Sequence, residues 1–404
     1  MNILLLCTKF SMDENDPWLT NELAGSLQRA GNKVSVVCLD WSGRLSSKKS
    51  TFYITSSGTE VFIEKPVAVF SRFPLLSKLF KWGGSSCVAS LLVSKLEKKN
   101  SYDLVICFSP LVTMSLPAIL LAGLMKKKSL LIQWDFFPYH QRQIGMMPSG
   151  LIFNVARKVE GFLISRFKYI GCMSPANISY LRSHYPIRQE QTVFTLPIWG
   201  AASQLPKSDR SLVREKYGLT NDQPIIVFGG QLVQGRGIED ILETARLAKI
   251  QSCPATFLII GSGLLECLVD DYISQENSNV VRLAHVPRQE YLEIIATCDL
   301  SLVCTVRDVD VPSYPSKTID YLRVGLPIVA SVEKTTDYGE HLAALGVGVY
   351  TEAGKPEELL RVIDELLKDP ARMAAMKTQG PICFRENFEV DSVVSNALKV
   401  ISAN

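Results

Sequence analysis

Glycines and an arginine follow an apolar run in the second half of the sequence, in the pattern of a phosphate-binding turn. The run at 225–228 is followed by GGQLVQGRG at 229–237 and then by a helical pattern. Glycines let a backbone approach a ligand closely, a helix start presents free N–H groups, and the Arg236 guanidinium can fork onto a diphosphate. A tight strand-to-helix turn with a solvated arginine is the alternative interpretation.

The segment 311–322 brings a lysine and a carboxylate to a predicted helix start. Pro315 suits a first helical turn, which would place the amides of Ser316 and Lys317 where the helix dipole favours an anion. Lys317 adds a full positive charge. Asp320 lies one turn further on, where its carboxylate can accept hydrogen bonds from a ribose diol. Complementing the helix dipole is the alternative role, and for Asp320 taken alone it is the better supported one.

Two shorter loops follow predicted strands of the same half. The turn Gly261-Ser262-Gly263 follows the apolar run 256–260, although G-x-G turns are common and carry little information alone. The loop at His285 and Val286 follows 280–283, where a nucleobase could be held. An ordinary surface loop is an equally good interpretation of that segment.

Apolar runs separated by helical patterns predict two parallel sheets. The first forty residues show a strand at 3–7, a helix with Asp16 as N-cap and Pro17 at its first position, and a strand at 34–39. Further strands are predicted at 104–108, 130–133, 169–173, 225–228, 256–260, 280–283, 300–303, 328–330 and 348–350. This repetition predicts an α/β protein of two doubly wound, Rossmann-like domains, in which ligands bind at the carboxyl ends of the strands.

The predicted domains are 1–203 and 204–385. A polar linker is placed at 207–210. The C-terminal segment 386–404 is predicted to form a helix that packs back on the N-terminal domain.

Composition narrows the class of protein. A net charge of +3 does not suggest a nucleic-acid binder, and ten scattered cysteines without a C-x-x-C pair disfavour metal cages and disulfide frameworks. Free thiols in such number fit a reducing compartment, so a cytoplasmic protein is predicted. The apolar start lacks a basic region and reads as a buried strand instead of a signal peptide. The stretch 107–125 is interrupted by prolines and serines, which favours a buried strand-to-helix unit over a membrane span.

The sequence resembles retaining glycosyltransferases of family 4, and these motifs resemble their donor domain. The match is good over residues 220–340 and looser over the N-terminal half. The resemblance implies the GT-B fold, in which two facing Rossmann-like domains enclose a cleft. It also implies transfer with retention, by front-face attack in which the donor phosphate takes the acceptor proton and no carboxylate nucleophile is needed. The residues that carry the resemblance are Gly230, Gln231, Arg236, Gly237, Gly261, Ser262, Gly263, Val286, Ser316, Lys317, Asp320 and Tyr321.

The resemblance also implies individual roles. Arg236 and Lys317 would neutralise the donor diphosphate in place of a metal ion, the backbone at 313–316 would lie near the transferred sugar, and Asp320 would bind the ribose. Neither a metal nor another cofactor is expected. The predicted donor-binding set is Gly230, Gln231, Arg236, Gly261, Gly263, His285, Val286, Ser313, Tyr314, Ser316, Lys317 and Asp320.

The sequence departs from the family pattern at two positions. Members commonly carry E-x7-E; Asp320 stands at the second glutamate, but Pro312 stands at the first. Asp308 and Asp310 lie nearby as alternative carboxylates. Gln231 stands where an arginine is often found, which leaves more of the phosphate charge to Arg236.

The acceptor is assigned to the N-terminal half. The segment QWDFFPYHQR at 133–142 resembles a D-x-x-P segment of related bacterial polysaccharide transferases and combines aromatic rings, which stack on sugars, with polar groups. Asp135 and His140 join Arg236 and Lys317 as catalytic candidates. A hydrophobic packing loop is the alternative. The predicted acceptor-binding residues are Asp13, Trp18, Asp135, His140 and Arg142.

A basic and apolar tract at 65–99 fits contact with an anionic membrane, which would suit a lipid-linked acceptor at the inner face of the plasma membrane. An ordinary solvated helix pair is the alternative.

The sequence therefore predicts transfer of a sugar from a nucleotide-sugar to a saccharide or lipid-linked saccharide, with a role in cell-surface polysaccharide synthesis. A sugar-nucleotide epimerase of the same fold and a non-catalytic partner of an active transferase are the rivals. A nicotinamide dehydrogenase is disfavoured because no G-x-G-x-x-G follows the first strand.

Overall fold

The computed structural model describes residues 1–14, 16–41, 50–65, 74–202 and 209–403, with only the backbone described for 74–82. The chain divides into two compact units. One consists of Met1–Pro197 and Val390–Asn404, and the other of Ile198–Glu389.

The first unit is built on an eight-stranded sheet. Its strands are β1 (Asn2–Cys7), β2 (Lys33–Leu39), β3 (Ser50–Ile54), β4 (Glu60–Glu64), β5 (Leu104–Phe108), β6 (Lys128–Gln133), β7 (Tyr169–Cys172) and β8 (Thr192–Thr195). The order across the sheet is β3-β4-β2-β1-β5-β6-β7-β8. Neighbouring strands are parallel except β3, which runs antiparallel to β4.

Helices connect these strands. They are α1 (Leu19–Arg29), α2 (Pro74–Asn100), α3 (Ser115–Ala118), α4 (Tyr139–Gln143), α5 (Leu151–Ile164) and α6 (Pro175–His184), with a 3-10 turn at Leu111–Met114 and a π-helical turn at Ile119–Leu124 on either side of α3. No helix in the part of the chain that the structure describes has the length and hydropathy needed to cross a bilayer.

The second unit has a six-stranded, wholly parallel sheet in the order β11-β10-β9-β12-β13-β14. Its strands are β9 (Ile225–Gly229), β10 (Thr256–Ile260), β11 (Val280–Leu283), β12 (Leu300–Cys304), β13 (Ile328–Val332) and β14 (Gly348–Glu352). Its helices are α7 (Arg210–Lys216), α8 (Ile238–Ile250), α9 (Glu266–Ile273), α10 (Arg288–Ala296), α11 (Thr318–Val324), α12 (Tyr338–Ala344), α13 (Pro356–Leu367) and α14 (Pro370–Cys383), followed by a π-helical turn at Phe384–Phe388.

Two parallel-sheet α/β domains are therefore confirmed. Strands β5, β10 and β11 have the predicted bounds. For β5 and β10 the reason is that a continuous apolar run marks a strand buried on both faces. The start of α1 was predicted two residues early. The helix begins at Leu19, and the Asn21 side chain accepts hydrogen bonds from the backbone N–H groups of Trp18 (3.2 Å) and Ser11 (2.8 Å), so Asp16 and Pro17 lie in the preceding loop.

The boundaries of the units differ from the predicted ones. The first falls at Pro197/Ile198 because the Gly200 N–H donates to the Phe388 carbonyl at 3.0 Å within the second unit. Of the predicted linker, 207 and 208 lie outside the described residues. Asp209 caps α7 by accepting from two of its first amides, and Arg210 is the first residue of that helix.

The last helix of the chain, α15 (Val390–Ser402), belongs to the first unit. Asp391 forms an ion pair with Arg29 of α1 at 2.7 Å. Near the other end of α15, the Ile401 carbonyl accepts hydrogen bonds from Lys128 Nζ (3.2 Å) and the Tyr169 hydroxyl (3.1 Å). These contacts tie the helix to α1, β6 and β7.

A buried arginine anchors α7 to the sheet of the second unit. The fully buried Arg214 side chain donates to the carbonyls of Thr297 and Thr220 and pairs with Asp299 at 2.7 Å. Asp299 also accepts from the Ile225 amide at the start of β9 (2.9 Å). Removing one partner of such a pair leaves the other charge buried and uncompensated.

We expect Arg214→Met to lower the free energy of unfolding by about 3–5 kcal/mol, as for other broken buried ion pairs. Arg210 also pairs with Asp299 at 2.7 Å but is 49% exposed, so Arg210→Met should lower it by only about 0–1 kcal/mol. Urea denaturation of both variants measures the difference. Equal losses would show that Arg214 is no anchor.

Candidate donor-phosphate site

Two glycine turns at the carboxyl ends of β9 and β10 pack backbone against backbone. The Gly230 amide donates to the Ile260 carbonyl (2.9 Å), and the Leu232 amide donates to that of Ser262 (3.0 Å). A Cβ at Gly261 would collide with the Gly230 carbonyl, and one at Gly263 with the Leu232 carbonyl. Both glycines also have positive φ angles, of 154° and 157°. The predicted Gly230, Gly261 and Gly263 therefore do lie together, and only glycine fits at 261 and 263.

Lys317 projects into this turn. A Cβ at Gly230 would lie 3.3 Å from Lys317 Nζ, and Nζ lies 3.4 Å from the ring centroid of Phe228. Nζ is shielded from solvent, and no hydrogen-bond partner for it is present among the residues that the structure describes. A buried ammonium group without a partner is costly, so this position is one that an anion would stabilise.

Arg236 acts on the same position. Burial lowers the pKa of Lys317 well below its usual value, and the positive charge of Arg236 lowers it further. Burial also lowers the pKa of Arg236, although the residue keeps exposed surface, while the carboxylate of Glu333 opposes that shift. Arg236 and Lys317 together create a positive potential that a diphosphate would neutralise.

Glu333 is a functional candidate that the sequence analysis missed. It is 2% exposed, just after β13, and its carboxylate accepts from the Ser313 amide (2.7 Å) and the Thr305 hydroxyl (2.5 Å). The Ser313 carbonyl in turn accepts from the Thr336 hydroxyl at 2.7 Å. Predicting that the strand ends at 330 hid this residue, which otherwise lies at the ligand-binding edge of the sheet.

Asp320 is engaged by two arginines. Arg288, at the start of α10, reaches its carboxylate at 2.7 Å, and Arg323 reaches it at 3.1 Å. The predicted helix start was wrong: α11 begins at Thr318, because Pro315 and Ser316 form a tight turn before it, with the Thr318 amide on the Pro315 carbonyl. Binding of a ribose by Asp320 stays a prediction.

The remaining predicted donor residues are spread around the turn. Gln231 and Ser316 are exposed, Ser313 is half-buried, and Lys317 follows Ser316 directly. His285 is exposed and Val286 half-buried after β11, where the Gly261 amide donates to the Leu283 carbonyl at 3.0 Å. The Tyr314 ring is buried and packs on Tyr338 and Phe388, so its side chain serves the core of the unit.

The alternative carboxylates for the missing first glutamate lie differently from Glu333. Asp308 and Asp310 are both exposed. Glu333 is the carboxylate that contacts the backbone of the 313–316 turn directly.

In the first unit, Asp135 and His140 lie near each other. His140 Nδ1 is 4.0 Å from Asp135 Oδ1, and Gln141 donates to the same carboxylate at 3.0 Å. The amide of Asp135 donates to Ser109 Oγ at 2.7 Å, which fixes the loop after β6 to the loop after β5. Both side chains keep a third or more of their surface exposed and can meet a ligand.

Three of the four aromatic rings of the same segment are buried and cannot form a sugar platform. Phe136 and Tyr139 pack around Tyr180, and Phe137 is buried as well. Trp134 is half-buried, with its ring centroid 4.8 Å from that of Phe108. Arg142 lies over the ring of Phe153 at 4.2 Å. The three buried rings follow the packing-loop interpretation, while Asp135 and His140 stay candidates.

Trp18 is exposed beside Lys9, whose Nζ lies 4.7 Å from the indole ring, and Asp13 is exposed in the same loop.

Glu160 of α5 is a second residue that sequence reasoning missed. Its fully buried carboxyl accepts from the amides of Leu111 (2.7 Å) and Val112 (3.0 Å), and burial raises its pKa to about 8. It supports the loop that carries Ser109.

The second unit contains a segment that matches a known family. The model of the glycosyl transferases group 1 matches residues 209–381. This segment is therefore similar to the glycosyl transferases of group 1. The predicted resemblance to family 4 glycosyltransferases is thereby confirmed, and the residues around Lys317 fall inside the matched segment.

Two curated relatives are glycosyltransferases by name. A GDP-mannose-dependent monoacylated α-(1-6)-phosphatidylinositol monomannoside mannosyltransferase of Corynebacterium glutamicum is 25% identical over 175 residues, which is 43% of this chain and 45% of that protein. The chain thus matches less than half the length of that relative. WcaI of Escherichia coli K12, named for colanic acid biosynthesis as a glycosyl transferase, is 23% identical over 71% of this chain and 72% of its own.

Solved glycosyltransferase structures share the GT-B fold with this chain. Sucrose-phosphate synthase of Thermosynechococcus elongatus aligns with a TM-score of 0.72 at 15% identity, over 100% of this chain and 99% of that one. HepE of Anabaena in complex with UDP aligns with a TM-score of 0.65 at 17% identity, over the full length of both chains. WaaG, involved in lipopolysaccharide biosynthesis, gives 0.66 at 16% identity, also over both full chains.

We expect binding of UDP or GDP to be accompanied by proton uptake that grows as the pH rises. Lys317 has a lowered pKa in the free protein, so above that pKa it must gain a proton to meet a diphosphate. Calorimetry in two buffers of different ionisation enthalpy measures the uptake. Lys317→Met should abolish it and weaken binding, whereas Lys334→Met, at a lysine that is 77% exposed, should change neither. Buffer-independent heats over the whole pH series would contradict the assignment.

Glu333→Gln should loosen the 313–316 turn, because a hydrogen bond to a charged acceptor is worth about 1 kcal/mol more than one to a neutral acceptor. Hydrogen exchange at the Ser313 amide should accelerate by about fivefold to tenfold. Glu352→Gln, at a carboxylate on β14 paired with Lys334 and Lys355, is the matched control. Unchanged exchange at Ser313 in Glu333→Gln would refute the role of Glu333.

Proposed function

We propose that this chain transfers a sugar from a nucleoside-diphosphate sugar to a saccharide or lipid-linked saccharide, with retention of the anomeric configuration. The observation that carries the proposal is the enclosed Lys317 ammonium beside Arg236, for which the described residues offer no hydrogen-bond partner. Its surroundings are a glycine-lined turn inside the segment that is similar to the glycosyl transferases of group 1.

The chemical demand of glycosyl transfer matches this arrangement. The donor diphosphate gains negative charge as the anomeric bond breaks, and preorganised cations aimed at that charge stabilise the transition state. Lys317 and Arg236 supply the two charges, and Glu333 holds the backbone of the 313–316 turn, which we place beside the transferred sugar. In this proposal no metal ion takes part.

The names of the relatives suggest which donors to test first. One relative uses GDP-mannose, and HepE has been solved with UDP-glucose. We place the ribose at Asp320, where a diol would share the carboxylate with Arg288. The base would lie by His285 and Val286, in the loop after β11.

The acceptor is assigned to the first unit. Asp135 and His140 are the polar pair with exposed surface, and Asp13 and Trp18 lie in an exposed loop after β1. The relatives named for phosphatidylinositol mannoside and for colanic acid support a lipid-linked or polysaccharide acceptor. We place the enzyme on the cytoplasmic face of the plasma membrane, where it would reach such an acceptor.

A non-catalytic partner subunit is the second candidate, because Pro312 replaces the first glutamate of the family motif. An epimerase is the third. The three differ in what they do to a donor: a transferase needs an acceptor, an epimerase isomerises the donor alone, and a partner subunit binds without turnover.

The test is to incubate the protein with radiolabelled GDP-mannose or UDP-glucose, with and without lipid-linked saccharides, in the presence of a chelator. We expect transfer that requires the acceptor and that the chelator does not abolish. NMR should show an α-linked product, which keeps the α configuration of the sugar in both donors. Lys317→Met should lower kcat by about 10²–10³-fold, as for loss of one preorganised donor elsewhere, and Lys334→Met should not. Donor isomerisation without acceptor, or binding without turnover over all acceptors, would overturn the proposal.

A further inference from the structure

Helix α5 (Leu151–Ile164) carries apolar side chains on its outer face as well as its inner one. Five of them are 40–79% exposed, and their spacing places them along one side of the helix. The opposite side is buried in the first unit through residues such as Phe153, Leu163 and Ile164. The outer stripe consists of Leu151, Ile152, Val155, Val159 and Phe162.

Cations accompany this stripe. Lys158 is exposed on α5 beside the stripe, and Arg166 follows the helix with its guanidinium 4.3 Å from the ring of Phe162. Arg157 is also exposed, but it lies about 120° around the helix from the nearest residue of the stripe. The acid within Leu151–Ile164 is Glu160, which is fully buried. The outer face of α5 is therefore apolar and basic with no exposed carboxylate of its own.

The same character continues onto the π-helical turn. The Arg166 side chain also approaches Gly123, where a Cβ would lie 3.8 Å from its Cδ. Leu124, which follows Gly123, is 73% exposed, and Met125 and Lys126 after it are exposed as well. We call the stripe of α5 together with Leu124, Met125 and Lys126 the α5 surface.

The charge of the α5 surface selects among occupants. In a symmetric pair of copies, α5 against α5 would bring Lys158 and Arg166 towards the same residues of the other copy, and α5 exposes no acid to offset them. An anionic leaflet accepts both features, since apolar side chains enter the headgroup boundary while Lys and Arg meet lipid phosphates.

We propose that the α5 surface binds an anionic bilayer. The inference deepens the proposed transfer to a lipid-linked acceptor and rests on it for its purpose, although binding itself is measured separately. The geometry connects the two: Phe153 of α5 packs edge-to-face on Tyr139 at 5.3 Å, and Tyr139 is the residue before His140. A helix on the leaflet would thus hold the acceptor candidates Asp135 and His140 close to lipid. The basic tract at 65–99 predicted from the sequence is a different segment, and its side chains at 66–82 lie outside the described residues.

The test is sedimentation with vesicles of phosphatidylcholine alone or mixed with phosphatidylglycerol. The wild-type protein should bind the mixed vesicles, less so at high salt, and the double variant Val155→Asp with Val159→Asp should bind at least about tenfold more weakly. Ile250→Asp, at a residue of the second unit that is 64% exposed, is the matched control and should bind as wild type. Light scattering in solution accompanies the assay, and circular dichroism checks that each variant is folded.

Equal binding of the double variant and the wild type, or no binding by the wild type, would overturn the inference. So would a wild-type dimer that the double variant dissociates without any vesicle binding, since a second copy would then cover the surface. Transfer to a water-soluble acceptor analogue separates this outcome from failure of the proposed function: the double variant should keep that activity and lose transfer to acceptors embedded in vesicles. Loss of both in a folded double variant would assign α5 to the reaction itself and refute the inference.

Discussion

An ammonium group enclosed by protein is the constraint on which the donor site depends. Lys317 Nζ faces the Phe228 ring and the glycine turn, and no acceptor for it is found in the described part of the chain. Such a group is unfavourable in an empty protein and favourable once an anion arrives. The sheet and the two glycine turns determine where Lys317 Nζ lies in this structure.

The backbone, more than the side chains, shapes the space around this charge. Gly261 and Gly263 let two turns touch through their main chains, and Gly237 approaches the Thr305 carbonyl so closely that a Cβ would lie 2.7 Å from it. A side chain at any of these positions would separate β9, β10 or β12 at their carboxyl ends. The shape of the site around Lys317 thus depends on the backbone of three neighbouring strands. Its charged side chains can differ without changing that shape, as Gln231 shows by standing where an arginine is often found.

Most of the architecture can be predicted from the sequence, because buried parallel strands appear in it as continuous apolar runs. The glycine turns and Lys317 were also visible, since each follows such a run. Glu333 was not, because β13 extends two residues beyond its predicted end. The aromatic segment failed for another reason: composition does not show which way a ring points, and Phe136 and Tyr139 turn inward. The ion pair of Asp320 with Arg288 could not be predicted either, because Arg288 lies on a different helix, distant in sequence.

The final helix has a consequence for how the protein is made. Arg29, Lys128 and Tyr169 of the first unit find their partners Asp391 and Ile401 only in α15, after the whole second unit has been translated. During translation, the sheet of the first unit therefore lacks α15 while Ile198–Glu389 emerges from the ribosome and folds. The first unit is therefore completed only after the second has been translated. A nascent chain stopped within the second unit would expose the apolar surface that α15 covers, and chaperones could bind it.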